Sequence, residues 1–549
     1  MSLRFIAISG TTDVTENCYL YETDHDMIMV DCGVGFPDPG MYGVDLVIPD
    51  FSYVLANKNK LKGIVISHGH EDHIGAIPFL LKDLKVPVYA TKLVAGFIED
   101  KLIDFGLKGI RVNIFDPEKD TLSLGSFKVT PFRVSHSVPD GVGFCIDTPE
   151  GKLFHVPDYK FDWTPVDGRP FDVKKAAILA SGGALALASD ALGSNIPGHT
   201  ASEKEIEEKL LSIMERATGQ VFFSTISSNI SRVQQALNVA KSLGRKTVFI
   251  GRSIDKKAQI ARRLGYLFYD NSQVISNKQA DKLAANQVMY VVSGSYGQPG
   301  SALYRVSVGE HEYLRAEKGD TVIFSGDPAP PGSKTNVDFV VDRFFEIGVD
   351  VHYYDIQEDL HVSGHGSQED IKALFGLISP KFFIPIGGTI RHMRGYSKIA
   401  QDMGAKPEEV FELKSGEVVE FKDKNARISE RIPVRDVLVD GLGIGDVGNV
   451  VLRDRHVLSK EGIAIVILQI DRNQGKLFAD PEVLSRGFVF EGASKDLLVR
   501  AGKELKNKID AKGRVDAKVA KDTTVDFLEK FFFTEIGRRP MVLPVVVEV

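Results

Sequence analysis

Leu61-Lys-Gly-Ile-Val-Ile-Ser67 runs directly into His68-Gly-His70-Glu-Asp72-His73, and that junction decides how the chain is read. The first stretch is an apolar run of strand length, and the second packs three imidazoles and an aspartate into six residues. Neutral imidazole and carboxylate donors at this density suit zinc or manganese, with geometry choosing between them. Alternate residues of an extended loop share a side, so His68 and His70 are expected to grip one ion. Asp72 and His73 then serve a second ion close by. The stretch Ile74-Gly-Ala-Ile-Pro-Phe-Leu-Leu81 is predicted to follow as a helix.

The rest of the chain sets bounds on this reading. Its 549 residues are enough for several domains, and 43% hydrophobic with 26% charged residues is ordinary globular composition. No apolar run approaches the twenty or so residues of a membrane helix, so no membrane association is expected. The start, Met1-Ser-Leu-Arg-Phe-Ile-Ala-Ile8, reads as a strand without the shape of a signal peptide. Cys18, Cys32 and Cys145 offer neither a disulfide framework nor zinc-knuckle spacing, which suggests a reducing cytoplasm. A net charge of −7 argues against a globally basic nucleic-acid coat. Any nucleic-acid site must be a local groove.

Short apolar runs alternate with helical stretches, as in an α/β protein with layered sheets. In residues 1–200 several runs end in a donor: Phe127–Ser135 before His136, Lys152–Pro157 before Asp158, and Leu185–Ser189 before Asp190. Residues 201–355 open with a helical stretch at Ser202–Leu211 and then repeat strand-and-polar-loop units at Val221, Thr247, Val288 and Thr321. Loops at the carboxyl ends of parallel strands build ligand crevices. Histidine-bearing loops return at His361–His365, so the middle region is expected to be an insertion. Residues 446–549 form a further α/β region, with a Lys-rich helix around 503–522 read as a solvated face. A two-metal hydrolase needs about four ligands per ion. His136 supplies a third imidazole for the first ion, and Asp158 can bridge both. His155, inside its run, is read as a packed histidine.

His68–His73, His136 and Asp158 resemble the metal motifs of the metallo-β-lactamase fold. Ser189-Asp190, His361-Val-Ser-Gly-His365 and Ser227-Ser-Asn-Ile-Ser-Arg-Val-Gln-Gln235 resemble the beta-CASP nucleases. Gly43–Ser52, Val437–Val451, Ile470-Asp-Arg472, Leu484–Phe490 and Arg538–Pro544 are similar to segments of the bacterial ribonuclease J family, so the resemblance spans essentially the whole chain. It implies an αββα metallo-β-lactamase sandwich at 1–200 and 356–430 and an inserted beta-CASP α/β domain at 201–355. A linker at 431–445 and a small C-terminal α/β domain at 446–549 complete it. It also implies a cytoplasmic, metal-dependent ribonuclease with 5′-to-3′ exonuclease and endonuclease activity in RNA processing and decay. Two Zn²⁺ per chain are expected, with Mn²⁺ as the other candidate. The expected substrate is single-stranded RNA bearing a 5′-monophosphate, and the expected assembly is a homo-oligomer, dimer or tetramer, formed through the C-terminal domain.

With that family in view, Asp72 is expected to orient the attacking hydroxide and accept its proton. His365 is the candidate general acid, and Asp190 holds its tautomer. His361, Val362, Ser363, Gly364 and His365 are expected to meet a backbone phosphate, and Ser227, Ser228 and Asn229 to bind sugar or phosphate. One departure matters. The family places a metal-binding His in a Pro-Val-His-Gly-Glu segment, whereas this chain reads Pro385-Ile-Gly387-Gly-Thr389. The second ion is therefore expected to be held more weakly, with His392 a candidate to reach back. The segment Gly10–Asn17 also differs from the family's glycine-rich opening. The alternatives are a catalytically weakened RNA-binding partner subunit, and a DNA nuclease or small-molecule hydrolase on the same fold.

Overall fold

The strand expected before the histidine cluster forms over Leu61–Val65, flanked in parallel by Met27–Val30 and Val88–Ala90. Neighbours on both sides and layers on both faces explain why Gly63, Ile64 and Val65 are all buried. This computed structural model describes residues 2–326, 332–355, 360–441, 443–488 and 491–549. Leu442, Val489 and Phe490 of the resemblance segments, and the expected domain start at 356, lie outside the described residues.

Among the described residues, Leu61–Val65 belongs to an eight-stranded sheet running Asn425–Arg431, Glu417–Lys422, Leu3–Ser9, Cys18–Glu22, Met27–Val30, Leu61–Val65, Val88–Ala90, Asn113–Ile114. A six-stranded sheet runs Pro380–Ile386, Ala184–Asp190, Gly151–Val156, Val142–Thr148, Phe127–Arg133, Leu122–Leu124. The two share one core, in which Phe5, Tyr21 and Val65 of the first sheet meet Val129, Phe144 and Ile384 of the second. Burying each such side chain contributes about 2 kcal/mol. The other face of the six-stranded sheet packs Phe154 and Leu187 against helices Val173–Ala180, Gln368–Ile378 and Ile390–Asp402. A five-stranded sheet, all parallel, runs Lys246–Ile250, Val288–Val292, Val221–Ser224, Thr321–Phe324, Asp350–His352. No described helix is long and apolar enough to cross a membrane.

Two elements depart from expectation. The helix foreseen at 74–81 is two short helices, Glu71–Ile74 and Ile77–Asp83, so the metal-motif residues Asp72 and His73 are themselves helical. Gly75 breaks the run, its neighbour Ala76 donates to the Cys32 carbonyl, and Pro78 sits in the first turn of the second helix, where its missing N–H costs nothing. The Lys-rich stretch around 503–522 is likewise two helices, Glu491–Asp510 and Ala517–Ile536. Gly513, with φ +77°, turns the chain, and Asp516 caps the second helix through the Val519 N–H.

The chain divides into two units, Met1–Phe36 with Leu46–Val437, and Pro37–Asp45 with Leu438–Val549. In the second, Ile463–Asp471 pairs antiparallel with Glu482–Arg486 and parallel with Met541–Glu548. Ala464, Val466, Leu468 and Ile470 face the two helices, where Leu505, Leu528 and Phe532 complete the core. Strand alternation turns Ile465, Ile467, Leu484, Leu543, Val545 and Val547 to the opposite face, where Leu543 is 47% and Val545 41% exposed.

Candidate metal centre

Three of the expected metal donors lie just beyond a strand of the sandwich, His68 after Leu61–Val65, His136 after Phe127–Arg133 and Asp158 after Gly151–Val156, while Asp72 and His73 sit in the short helix Glu71–Ile74 and His70 precedes it. His68 and His73 are buried, as are His136 and Asp158. Close backbone approach makes the pocket possible. A Cβ on Gly33 would lie 1.5 Å from the Asp72 carbonyl oxygen, and one on Gly364 would lie 2.4 Å from the His136 ring, so both places require glycine.

The expected metal donors converge in two groups, beside a third of Asp158, Asp190 and His365. One holds His68, His70, His136 and Asp158, the other Asp72, His73 and Asp158, with the atoms of each group within 4.8 Å of one another. His70 Nδ1 is 3.2 Å from His68 Nε2 and 3.0 Å from His136 Nε2. Asp158 belongs to both groups. Its Oδ2 lies 3.4 Å from His68 Nε2 and 3.5 Å from His136 Nε2, while its Oδ1 lies 3.4 Å from His73 Nε2.

The outward ring nitrogens are already engaged. His73 Nδ1 donates to Asp31 Oδ2 at 2.7 Å, and His136 Nδ1 donates to the Gly364 carbonyl at 2.7 Å. Ser67 Oγ donates to Asp31 and so accepts from His68 Nδ1, at 3.1 Å. Partners of this kind fix the tautomer and leave the inner nitrogen as a lone-pair donor, which fits divalent cations. Burial holds the His70 and His136 imidazoles well below their ordinary range, in the neutral form that ligation needs. Burial acts the same way on His73, but Asp158, Asp31 and Asp72 outweigh it and hold its pKa well above the ordinary value. Carboxylates thus gather at the second group.

His365 faces the same cluster. Its Nε2 lies 3.9 Å from Asp158 Oδ2, and its Nδ1 donates to Asp190 Oδ2 at 2.7 Å. Burial lowers this imidazole, but Asp190 and Asp158 more than reverse that and raise its pKa to about 9. The residues before it hold the loop in place: the Ser363 side chain accepts through Oγ from the His365 N–H, and Gly364 offers its backbone carbonyl to His136. His361 and Val362 are part-exposed beside them. Ser227, Ser228 and Asn229 do not join the donor groups among the described residues. Ser227 Oγ lies 2.9 Å from Ser253 Oγ, Ser228 is buried, and Asn229 caps its helix by accepting from the Arg232 N–H. His155 packs as expected, against Tyr19 and within 2.9 Å of the Tyr21 hydroxyl. His392 is in neither metal group; its Nδ1 accepts from the Thr389 N–H at the start of its helix.

Two residues of the site escaped sequence reasoning. Asp31 follows the apolar strand Met27–Val30 and adopts φ +61°, which a non-glycine residue rarely does. Its signal is an acid at the end of a strand beside Leu61–Val65. Asn17 Nδ2 lies 3.0 Å from His73 Nε2, in a segment noted only for its departure from the family pattern.

Ribonuclease J2 of Bacillus subtilis is 35% identical to this chain over 557 residues, covering 100% of the chain and 99% of that protein. The chain belongs to the ribonuclease J family. Ribonuclease J 1 of Streptococcus pyogenes is 38% identical, covering 98% of the chain and 96% of that protein. The ribonuclease J beta-CASP domain matches residues 218–344, the ribonuclease J C-terminal domain 450–549, and the metallo-beta-lactamase superfamily 11–224. The sandwich is therefore a metallo-β-lactamase fold, and the parallel five-stranded sheet lies in its beta-CASP insertion. A crystal structure of a protein of unknown function from Enterococcus faecalis shares the fold, with a TM-score of 0.53 and 13% identity over 76% of this chain and all of that one.

Against the ribonuclease J pattern, Gly387 still stands where a metal-binding His is expected. Its φ is +65°, and a Cβ there would meet only Asp190 Oδ1, at 3.6 Å. Space is open, and the left-handed backbone costs a side chain about 1–2 kcal/mol. Gly387→His is thus expected to fold with slightly reduced thermal stability and to bind the second cation more tightly. Calorimetric titration with Mn²⁺ checks this, and unchanged second-site affinity would refute it.

Proposed function

We propose that this protein is a metal-dependent ribonuclease that hydrolyses RNA phosphodiester bonds both from the 5′ end and internally, at a centre formed by His68, His70, Asp72, His73, His136 and Asp158. The observation that carries this reading is the Asp158 carboxylate, which presents one oxygen to each of two donor groups. Two divalent cations, Zn²⁺ or Mn²⁺, supply when bound the Lewis acidity that makes hydroxide available near neutral pH. Asp72 orients the attacking water and accepts its proton. His365, protonated and held by Asp190, donates a proton to the leaving 3′-oxygen, so the products carry a 5′-phosphate and a 3′-hydroxyl. The His361–His365 segment and Ser227–Asn229 receive the substrate's phosphates and sugars, with a preference for 5′-monophosphate ends. The second cation is the weaker one, since Asp72, His73 and Asp158 are its donors.

Purified protein given 5′-monophosphate and 5′-triphosphate RNA with Zn²⁺ or Mn²⁺ is expected to degrade the monophosphate RNA faster. Cleavage of neither RNA, with two cations bound, would favour the RNA-binding subunit instead. The proposal divides the chain at 1–200 with 356–430, 201–355 and 446–549, with 431–445 as linker, and places it in the cytoplasm, where three free buried cysteines stay reduced. It also makes the protein a homo-oligomer through the apolar sheet face of Leu484, Leu543, Val545 and Val547, a surface of the kind that marks interfaces. Leu543→Glu with Val545→Lys is expected to yield monomers by sedimentation. An unchanged mass would show that this face is not the interface.

A further inference from the structure

Lys160, Glu203 and Arg232 form a buried ionic node beside the centre, with side chains 0%, 2% and 0% exposed. Glu203 Oε1 accepts from Lys160 Nζ at 3.2 Å, and Oε2 accepts from Arg232 Nη2 at 2.5 Å. Burial pushes this carboxyl up, but Arg232 and Lys160 outweigh it and hold its pKa at about 2, so it is charged at neutral pH. Its backbone is fixed as well, the N–H donating to Asp162 Oδ2 at 2.9 Å and the carbonyl accepting from Gln235 Nε2 at 2.6 Å.

Lys160 and Arg232 each also send one hydrogen bond to the segment that carries His365. Lys160, two residues after Asp158, also donates to the Ser363 carbonyl at 3.0 Å and to the Ala201 carbonyl at 3.1 Å. Arg232, three residues after Asn229, donates through Nη1 to Ser325 Oγ at 2.6 Å and to the Leu360 carbonyl at 3.3 Å. Ser325 Oγ donates to that same carbonyl at 2.8 Å. Leu360 and Ser363 bracket His361. An ion pair kept for stability alone is often matched by apolar packing of similar volume. Here both cations reach backbone carbonyls of the loop that carries His365.

We propose that Glu203 is a positioning residue for the ribonuclease reaction: by holding Lys160 and Arg232 side by side, it sets how the His361–His365 segment stands against the metal donors. This rests on the assignment of that segment to substrate phosphate. Small displacements of a bound phosphate cost rate steeply, and a substrate that does not use the segment escapes the cost.

Glu203→Gln keeps the volume and removes the charge. With holoprotein, kcat/KM for 5′-monophosphate RNA is expected to fall about a hundredfold, and hydrolysis of bis(4-nitrophenyl) phosphate to stay within about threefold. Metal content by mass spectrometry stays unchanged. Ser325→Ala buries no unpaired charge and serves if Glu203→Gln fails to fold, with an expected selective loss of about tenfold on RNA. Equal loss on both substrates, or no loss on RNA in a folded variant, overturns the proposal. A wild-type protein that hydrolyses the small diester but no RNA refutes the ribonuclease reading itself.

Discussion

Asp158→Ala is expected to abolish RNA cleavage, lowering turnover by at least about a thousandfold, because both cations lose a donor at once. Asp158 Oδ2 serves the His68, His70 and His136 group, and Oδ1 faces His73. The substitution removes little volume, and the sandwich core of Phe5, Phe144 and Ile384 does not include this side chain, so circular dichroism and melting should show a folded protein. Calorimetry with Zn²⁺ should then record weakened binding at the three-histidine group and loss of the second event. Normal turnover by a folded variant confirmed free of metal would end the two-metal mechanism.

His365→Ala has the second-largest expected effect, between about a hundredfold and ten-thousandfold on turnover, the range of a general acid. Metal content is expected to stay at the wild-type level. The geometry makes this a sharp test, since Asp158, Asp190 and His365 also lie close enough to hold an ion between them. If metal content falls together with the rate, His365 acts as a ligand that makes up for Gly387, and the proton must come from elsewhere.

What was legible in the chain was side-chain chemistry at strand ends. His68, His136, Asp158 and Asp190 each follow or end an apolar run, and for His68, Asp158 and Asp190 that run is a strand with a parallel neighbour, whose carboxyl end helps build a crevice. Backbone roles left no such trace. Gly364 holds His136 by a carbonyl, Ser363 receives Lys160 by another, and no residue type announces either contact. Asp31 was missed because its neighbours read as plain strand and its positive φ cannot be seen in a sequence. Ser227–Asn229 illustrates the reverse, since residues suited to phosphate are also those that cap helices, and Asn229 is so engaged. The break inside 74–81 left no trace because apolar residues continue across Gly75 and Pro78, where the backbone restarts as a second helix.

The bond from His136 to the Gly364 carbonyl joins residues 228 positions apart. At translation speeds of about 5–20 residues per second, some 10–50 s separate the appearance of the imidazole from that of the group that orients it. For that interval the nascent chain carries the metal donors without the partner that sets the His136 tautomer. The centre therefore lacks both the Gly364 carbonyl and His365 until the return segment has been made. The inserted segment thus sets the order of assembly: the centre can close only after the chain has returned from it.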